Sequence, residues 1–246
     1  MTPVEIFKIH FMNSPLCSLW HKLAPHVTVR KVMDGLTIYF DLNDNIDDLT
    51  RPSFLRRETM TKWICEQISG NYWDVGCNIG QFAVPAATTG HNVVAFDISP
   101  HACRLLQKTA TANKLAITVV DQALSIKHYS YSPPHTSRTD EKVCTDNPQE
   151  GGKDSLNFHD AWITYGPPTL VKMDIEGSEK AFLHSHEWKS LVREKGIFWL
   201  LEIHPPLTTK DDIWTDVPFL VLDEYHFLIY HDQITLENLY AKRNAS

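Results

Sequence analysis

Residues 71–84 read Asn71-Tyr72-Trp73-Asp74-Val75-Gly76-Cys77-Asn78-Ile79-Gly80-Gln81-Phe82-Ala83-Val84, and this stretch decides the fold. A short apolar run ends in the carboxylate of Asp74. Turn-forming residues follow at Gly76, Asn78 and Gly80, and a helix-compatible segment begins behind them. The pattern is a strand that stops, turns tightly and feeds a helix, with the main chain left bare at the turn. Glycine has no Cβ, so a ligand approaches the backbone closely there. Free N–H groups at a helix start point outward. The turn reads as a cradle for a nucleotide-like ligand.

Spacing narrows the ligand. The dinucleotide fingerprint is G-x-G-x-x-G, and here Asn78 stands where its middle glycine would be. No Gly-Lys-Ser/Thr follows, which removes a P-loop. The order Asp-x-Gly-x-Asn-x-Gly, with an acid two residues ahead of the first glycine, resembles the class I S-adenosylmethionine-dependent methyltransferases. A second acid, Asp97, ends the apolar run His91–Asp97, 21 residues after Gly76. An acid at the tip of a second strand accepts hydrogen bonds from ribose hydroxyls. That geometry serves NAD and S-adenosylmethionine alike, so Asp97 alone does not separate them.

Outward from this core, short apolar segments alternate with helical ones. Strands are expected over 71–75, 92–97, 117–120, 169–173 and 197–203, and helices near 80–89, 100–114 and 178–192. Such alternation implies parallel βαβ units with buried strands. The tail reads as a helix near 211–224 and strands at 227–230 and 236–241. Ahead of the core, 1–25 reads as short helical pieces, 26–42 as a hairpin about Asp34-Gly35, and 53–69 as a helix. The division expected is an N-terminal extension over 1–52 and a core over 53–246. Residues 129–168 interrupt the alternation with five of the fourteen prolines and Gly151-Gly152, and read as an inserted lid or substrate loop, or as disorder.

A second constellation follows the fourth core strand. Leu170-Val-Lys172-Met-Asp174-Ile-Glu176-Gly-Ser-Glu179 places acids just past a strand, and the next strand ends in Glu202-Ile-His204-Pro205. In an open α/β sheet ligands sit outside the carboxyl ends of the strands, so Asp174, Glu176, Glu202 and His204 share a crevice with Asp74 and Asp97. Crowded carboxylates repel, which stability alone does not explain.

Composition sets the outer bounds. A chain of 246 residues with 43% hydrophobic and 22% charged residues is an ordinary soluble globular sequence. The formal net charge of −7 argues against nucleic acid as the main partner. Arg51, Arg56 and Arg57 form a small basic cluster, read as a solvated helix face. Five cysteines without a C-x-x-C pair point to reduced thiols in a cytoplasmic protein rather than a disulfide or zinc framework. Cys77 reads as a small side chain tolerated beside a ligand. His184 and His186, two apart on a helix, do not share a face and are not expected to hold a metal. No signal peptide and no membrane span are expected. Oligomeric state stays open.

Taken with Val93-Val-Ala-Phe-Asp97, Lys172–Glu179 and Leu201-Glu202, the turn motif resembles the FkbM-type methyltransferases over about residues 55–205. The Asp-hydrophobic-Glu-Gly-x-Glu element carries the family resemblance; the glycine motif is shared by the wider superfamily. The resemblance implies a Rossmann-like, seven-stranded, mostly parallel sheet with helices on both faces and an antiparallel last strand. It also implies O-methylation of a small molecule, glycan or peptide in natural product biosynthesis. This chain departs from the family at Asp97-Ile98, where Glu-Pro is more usual, and at Cys77, where alanine is.

The expected roles follow. Asp74 and the backbone of Gly76, Cys77, Asn78 and Gly80 hold the methionine part of the cofactor. Asp97 holds the ribose, Ile98 flanks the adenine, and Gln122 and Ala123 meet its edge. Asp174, also set against the cofactor, joins Glu176, Glu202 and His204 in positioning the acceptor and removing its proton, with His204 the best base by intrinsic pKa. Alternatively Glu176 and Glu202 bind a divalent ion, although no metal is assigned. The competing functions are a nicotinamide oxidoreductase and a non-catalytic cofactor-binding module.

Overall fold

The computed structural model describes residues 28–41, 53–131, 152–176, 178–193, 197–205, 211 and 219–229. Expectations for 1–25 and 236–241 lie outside these residues, as do residues 212–218 of the helix expected at 211–224.

A seven-stranded sheet forms the centre. Its strands are β3 (Asn71–Val75), β4 (Asn92–Phe96), β5 (Ile117–Val120), β10 (Leu170–Met173), β11 (Phe198–Glu202), β12 (Phe219–Val221) and β13 (His226–Ile229), in the order β12-β13-β11-β10-β3-β4-β5. The five strands from β5 to β11 run parallel, and β13 lies antiparallel to both β11 and β12. Residues 219–221 are therefore extended, not helical: Phe-Leu-Val finds an edge partner, and tertiary pairing overrides local preference. The order reverses between β3 and β10, so both tips open onto one crevice.

Period-two alternation divides the core. Tyr72, Ala95, Leu170 and Leu200 face one side, and Trp73, Val94, Val171 and Trp199 the other. The first face is covered by α1 (Ser53–Gln67), α2 (Ala83–Thr88), α3 (Pro100–Asn113) and the hairpin β1 (Thr28–Met33) and β2 (Leu36–Asp41). The second is covered by α4 (Phe158–Tyr165), α5 (Glu179–Leu183) and α6 (His186–Arg193). The single helix expected over 178–192 is two, because Ser185 turns its hydroxyl to cap Trp188 N at 2.9 Å.

The hairpin is docked by side chains of α3. Asn113 accepts from Thr37 N at 2.8 Å and donates to Thr37 O at 2.7 Å, and His101 Nε2 lies 2.8 Å from Asp41 Oδ2. α3 begins at a serine cap, with Ser99 Oγ accepting from Ala102 N ahead of Pro100.

The described part of the expected loop 129–168 is ordered. β6 (Leu124–Ser125) pairs with β9 (Leu156–Asn157), β7 (Ser130–Tyr131) pairs with β8 (Lys153–Asp154), and α4 follows. Phe158 stacks on Trp199, so the segment returns to the core through its aromatic residues. No helix among the described residues is long and apolar enough to cross a membrane.

Candidate active site

The glycine turn is clamped on two sides. Gly76 N and Cys77 N donate to Phe96 O at 2.9 and 3.0 Å, fixing it to the tip of β4. On the other side Asp174 N donates to Val75 O at 2.9 Å. Gly76 has φ +77, and a Cβ added to it would meet the Asp174 carbonyl oxygen at 1.7 Å. Only glycine lets the strand tips approach this closely. Asn78 follows with φ +47, and its Oδ1, buried in the turn, finds no hydrogen-bond partner among the described residues.

Asp97 ties this turn to the next helix. Its Oδ2 accepts from Asn78 N at 2.7 Å and its Oδ1 from Ser99 N at 2.8 Å. Burial pushes its carboxyl up to about 6, against those two bonds. A carboxylate has about four lone-pair sites, so capacity remains for ribose hydroxyls. Ile98, half-buried, borders it. Cys77 is buried and its thiol is pushed well above the usual value by desolvation, which leaves it inert rather than nucleophilic.

Asp74 is fully buried, deeper than a residue read as lining the crevice. Burial pushes it up to about 6, and Lys172 pulls the other way. Lys172 Nζ lies 3.7 Å from Asp74 Oδ1 and 3.0 Å from Asp174 Oδ2. The sequence reading assigned Lys172 no role; a lysine inside the apolar strand Leu170–Met173 was the available signal.

At the mouth, His204 stands among four carboxylates. Its Nδ1 is 3.4 Å from Glu179 Oε1; its Nε2 is 3.4 Å from Asp174, 3.6 Å from Glu176 and 4.0 Å from Glu202. The bond to Glu179 above all, with the other acids, raises His204 to about 9. It is an imidazolium at neutral pH, so the expectation that it is the best base does not suit this environment. Glu179, itself buried, also accepts from Ile175 N at 2.6 Å and so fixes the loop that carries Glu176. Glu176 adopts φ +54, with a carboxyl raised by burial and by Asp174. Glu202 Oε2 sits 3.2 Å from His226 Nε2.

Asp174, Glu202 and His204 bring one donor atom each within 4.8 Å of one another.

Gln122 and Ala123 both bond to the insert. Gln122 Nε2 donates to Asp154 O, and Ala123 N donates to the Tyr131 hydroxyl at 3.0 Å. The inserted strands cover this edge. Asp121, at the end of β5 and not singled out from sequence, is held by Lys153 Nζ at 2.5 Å. A shallow cavity of about 440 Å³, lined by Asn71, Asn92 and Tyr165 among others, opens at the opposite ends of the strands and holds none of these acids.

A methyltransferase-domain family model matches residues 73–130, which contain the glycine turn, Asp97 and the β5 tip. An uncharacterised RNA methyltransferase of Parasynechococcus marenigrum is 23% identical over 184 residues, 74% of this chain and 38% of that protein. The chain thus spans about two-fifths of the curated relative. Two solved structures are similar. The Thermus thermophilus 16S rRNA N2 G1207 methyltransferase, in complex with AdoMet and guanosine, has a TM-score of 0.48 at 14% identity, covering 86% of this chain and 52% of that one. The Pyrococcus abyssi tRNA (uracil-54, C5)-methyltransferase, in complex with S-adenosyl-L-homocysteine, has a TM-score of 0.46 at 15% identity, covering 82% and 43%.

These findings overturn the expectation that nucleic acid is not a partner, since the curated relative is an RNA methyltransferase. The physical reason is that net charge averages over the whole surface, whereas a base entering a crevice is an uncharged heterocycle. Residues 73–130, which build the glycine-turn side of the crevice, match a methyltransferase-domain model, and the cofactor that goes with such a segment is S-adenosylmethionine.

Proposed function

We propose that this chain is an S-adenosylmethionine-dependent methyltransferase whose acceptor is a nucleoside of RNA. The observation that carries the cofactor reading is the clamped turn: Gly76 without room for a Cβ, the orphaned Asn78 Oδ1, and Asp97 bridging the turn to the next helix. This is a bare cradle with an acid on its far side, which fits an adenosyl ligand with an amino-acid tail.

The cofactor supplies an activated methyl group with its leaving group attached. The protein's own residues hold, orient and exclude. The 76–80 backbone and Asn78 Oδ1 meet the amino-acid tail, Asp97 accepts from the ribose, and Ile98 borders the adenine. At the mouth, Asp174, Glu176 and Glu202 accept hydrogen bonds, while His204, held as a cation, donates. A nucleobase edge carries donors and acceptors side by side and suits that mixed set. Glu176, the most open of the acids and raised by burial, takes the acceptor proton.

RNA as the acceptor is supported by the curated relative, which matches 74% of this chain. A second reading, O-methylation of a hydroxyl on a small molecule, glycan or peptide, is supported by the Lys172–Glu179 element, which resembles FkbM-type enzymes. Incubating the protein with radiolabelled S-adenosylmethionine and total RNA, then digesting with nuclease, separates the two. Label in nucleosides supports the first. Label confined to non-nucleic-acid fractions of a cell extract supports the second, and no binding of S-adenosylhomocysteine overturns both.

A further inference from the structure

Lys172 is the least expected charge in the molecule. It sits in the middle of β10 with only 1% of its surface exposed, among Leu170, Val171 and Met173. Lysine is almost never buried so completely without paired charge. Parallel register sets it directly opposite Asp74 on β3, on the same face of the sheet. Its Nζ donates to Asp174 Oδ2 at 3.0 Å and to Gly76 O at 3.4 Å, lies 3.7 Å from Asp74 Oδ1, and stands 4.3 Å over the Phe82 ring. One ammonium thus joins the acid before the glycine turn, the carbonyl of its first glycine and the acid at the tip of β10.

We infer that Lys172 is a positioning residue for the cofactor: its ammonium fixes the glycine turn against the tip of β10 and holds the Asp74 and Asp174 carboxyl groups beneath that turn, so that the pocket presents negative charge to a cationic ligand. The inference rests on the S-adenosylmethionine reading above and adds a residue that the expected site did not contain.

Electrostatics supports the same reading. Asp74 is faced by Lys172 and Asp174 from β10, Asp97 from the tip of β4, Cys77 in the turn, Tyr72 on its own strand and the backbone of Ala83. Lys172 is the cation in that set, and it lowers both Asp74 and Asp97, which burial and neighbouring acids raise. Without it both carboxyls move toward neutral pH and take up protons, and a pocket with protonated acids holds an ammonium or a sulfonium poorly.

The test compares wild type, Lys172→Met and the double variant Asp74→Asn/Lys172→Met. Affinity for S-adenosylhomocysteine is measured by calorimetry from pH 5 to 8.5, with circular dichroism to monitor folding. Wild type is expected to lose affinity as pH falls through about 6. In Lys172→Met that midpoint moves up by about one pH unit, so that affinity drops about two-fold near pH 7 and about ten-fold near pH 5. A purely structural loss would weaken binding at every pH without moving the midpoint, and that result overturns the inference. If Lys172→Met does not fold, the double variant decides, because it removes the fully buried Asp74 charge together with its partner and leaves Asp174 facing His204. Weakened binding with a flattened pH dependence supports the pair; wild-type affinity and midpoint overturn it. A wild type that binds the ligand at no pH removes the methyltransferase reading and the inference together, whereas binding with an unmoved midpoint removes the inference alone.

Discussion

Replacing Gly76 with alanine tests the clamped turn most directly. Two costs arise. An L-residue at φ +77 pays about 1–2 kcal/mol for the left-handed backbone. The new Cβ would also lie 1.7 Å from Asp174 O and 2.8 Å from its carbonyl carbon, where contacts closer than 3.0 Å are essentially never found. The β10 tip must therefore retreat by more than an ångström, although hydrogen bonds hold both sides. Overpacking of this kind costs about 1–3 kcal/mol. Gly90 supplies the control: it has φ +92 with nothing within 4 Å of an added Cβ, so Gly90→Ala pays the first cost and not the second. The difference between the variants, about 1–3 kcal/mol, corresponds to a melting temperature lower by roughly 2–12 °C for Gly76→Ala. Scanning calorimetry with and without S-adenosylhomocysteine reads both effects. Gly90→Ala keeps its stabilisation by ligand, and Gly76→Ala loses it. Equal melting temperatures, together with full stabilisation of Gly76→Ala by ligand, would refute the reasoning.

Other outcomes follow from the same geometry. Asp97→Ala removes the acceptor for Asn78 N and Ser99 N and is expected to weaken S-adenosylhomocysteine binding sharply; unchanged affinity by calorimetry would remove Asp97 from the site. Asp74 and Asp97 are both raised from 3.8 to about 6, so the folded state binds protons more tightly than the unfolded one. Their contribution to stability therefore falls as pH rises from about 4 to 6 and is level above that, and Asp97→Asn should flatten this slope in urea midpoints. His204 is raised from 6.5 to about 9, so the stability it adds is fully present below 6.5 and is lost as pH rises through 9; His204→Gln should abolish that alkaline slope and leave the acidic one. Asn113→Ala leaves Thr37 N and O without their side-chain partner and is expected to cost about 1–3 kcal/mol in denaturant unfolding, loosening the hairpin while sparing ligand affinity.

The parts of the site that were legible from sequence are those in which one local signal suffices. Gly76, Asn78 and Gly80 announce a turn because backbone sterics act within a few residues, and all three adopt positive φ. The strands were legible because buried parallel strands are continuous apolar runs. What escaped depends on partners distant in the chain. Lys172 gains its role from register opposite Asp74, 98 positions earlier. The bonds of Gln122 Nε2 and Ala123 N to Asp154 and Tyr131 of the insert likewise join residues far apart in the chain or across the loop. The strand at 219–221 required knowing that β13 would offer an edge. His204 looked like a base because an isolated imidazole titrates near neutrality, and only the folded structure gathers the carboxylates that hold its proton.

That last point changes how the acidic rim works. Crowded carboxylates would repel one another, and among the described residues basic side chains meet them at different depths. Lys172, fully buried, balances Asp74 and Asp174 beneath the glycine turn. His204, partly exposed at the mouth, balances Asp174, Glu176, Glu179 and Glu202. Asp174 is common to both sets and stands where the strand order reverses. The acids thus form two linked groups; on the function proposed above, the inner one sets the charge offered to a cationic cofactor and the outer one presents hydrogen-bonding groups to an acceptor. A proton gained or lost in either group reaches the other through Asp174, so binding on the two sides of the crevice should be coupled through charge even where no atom moves.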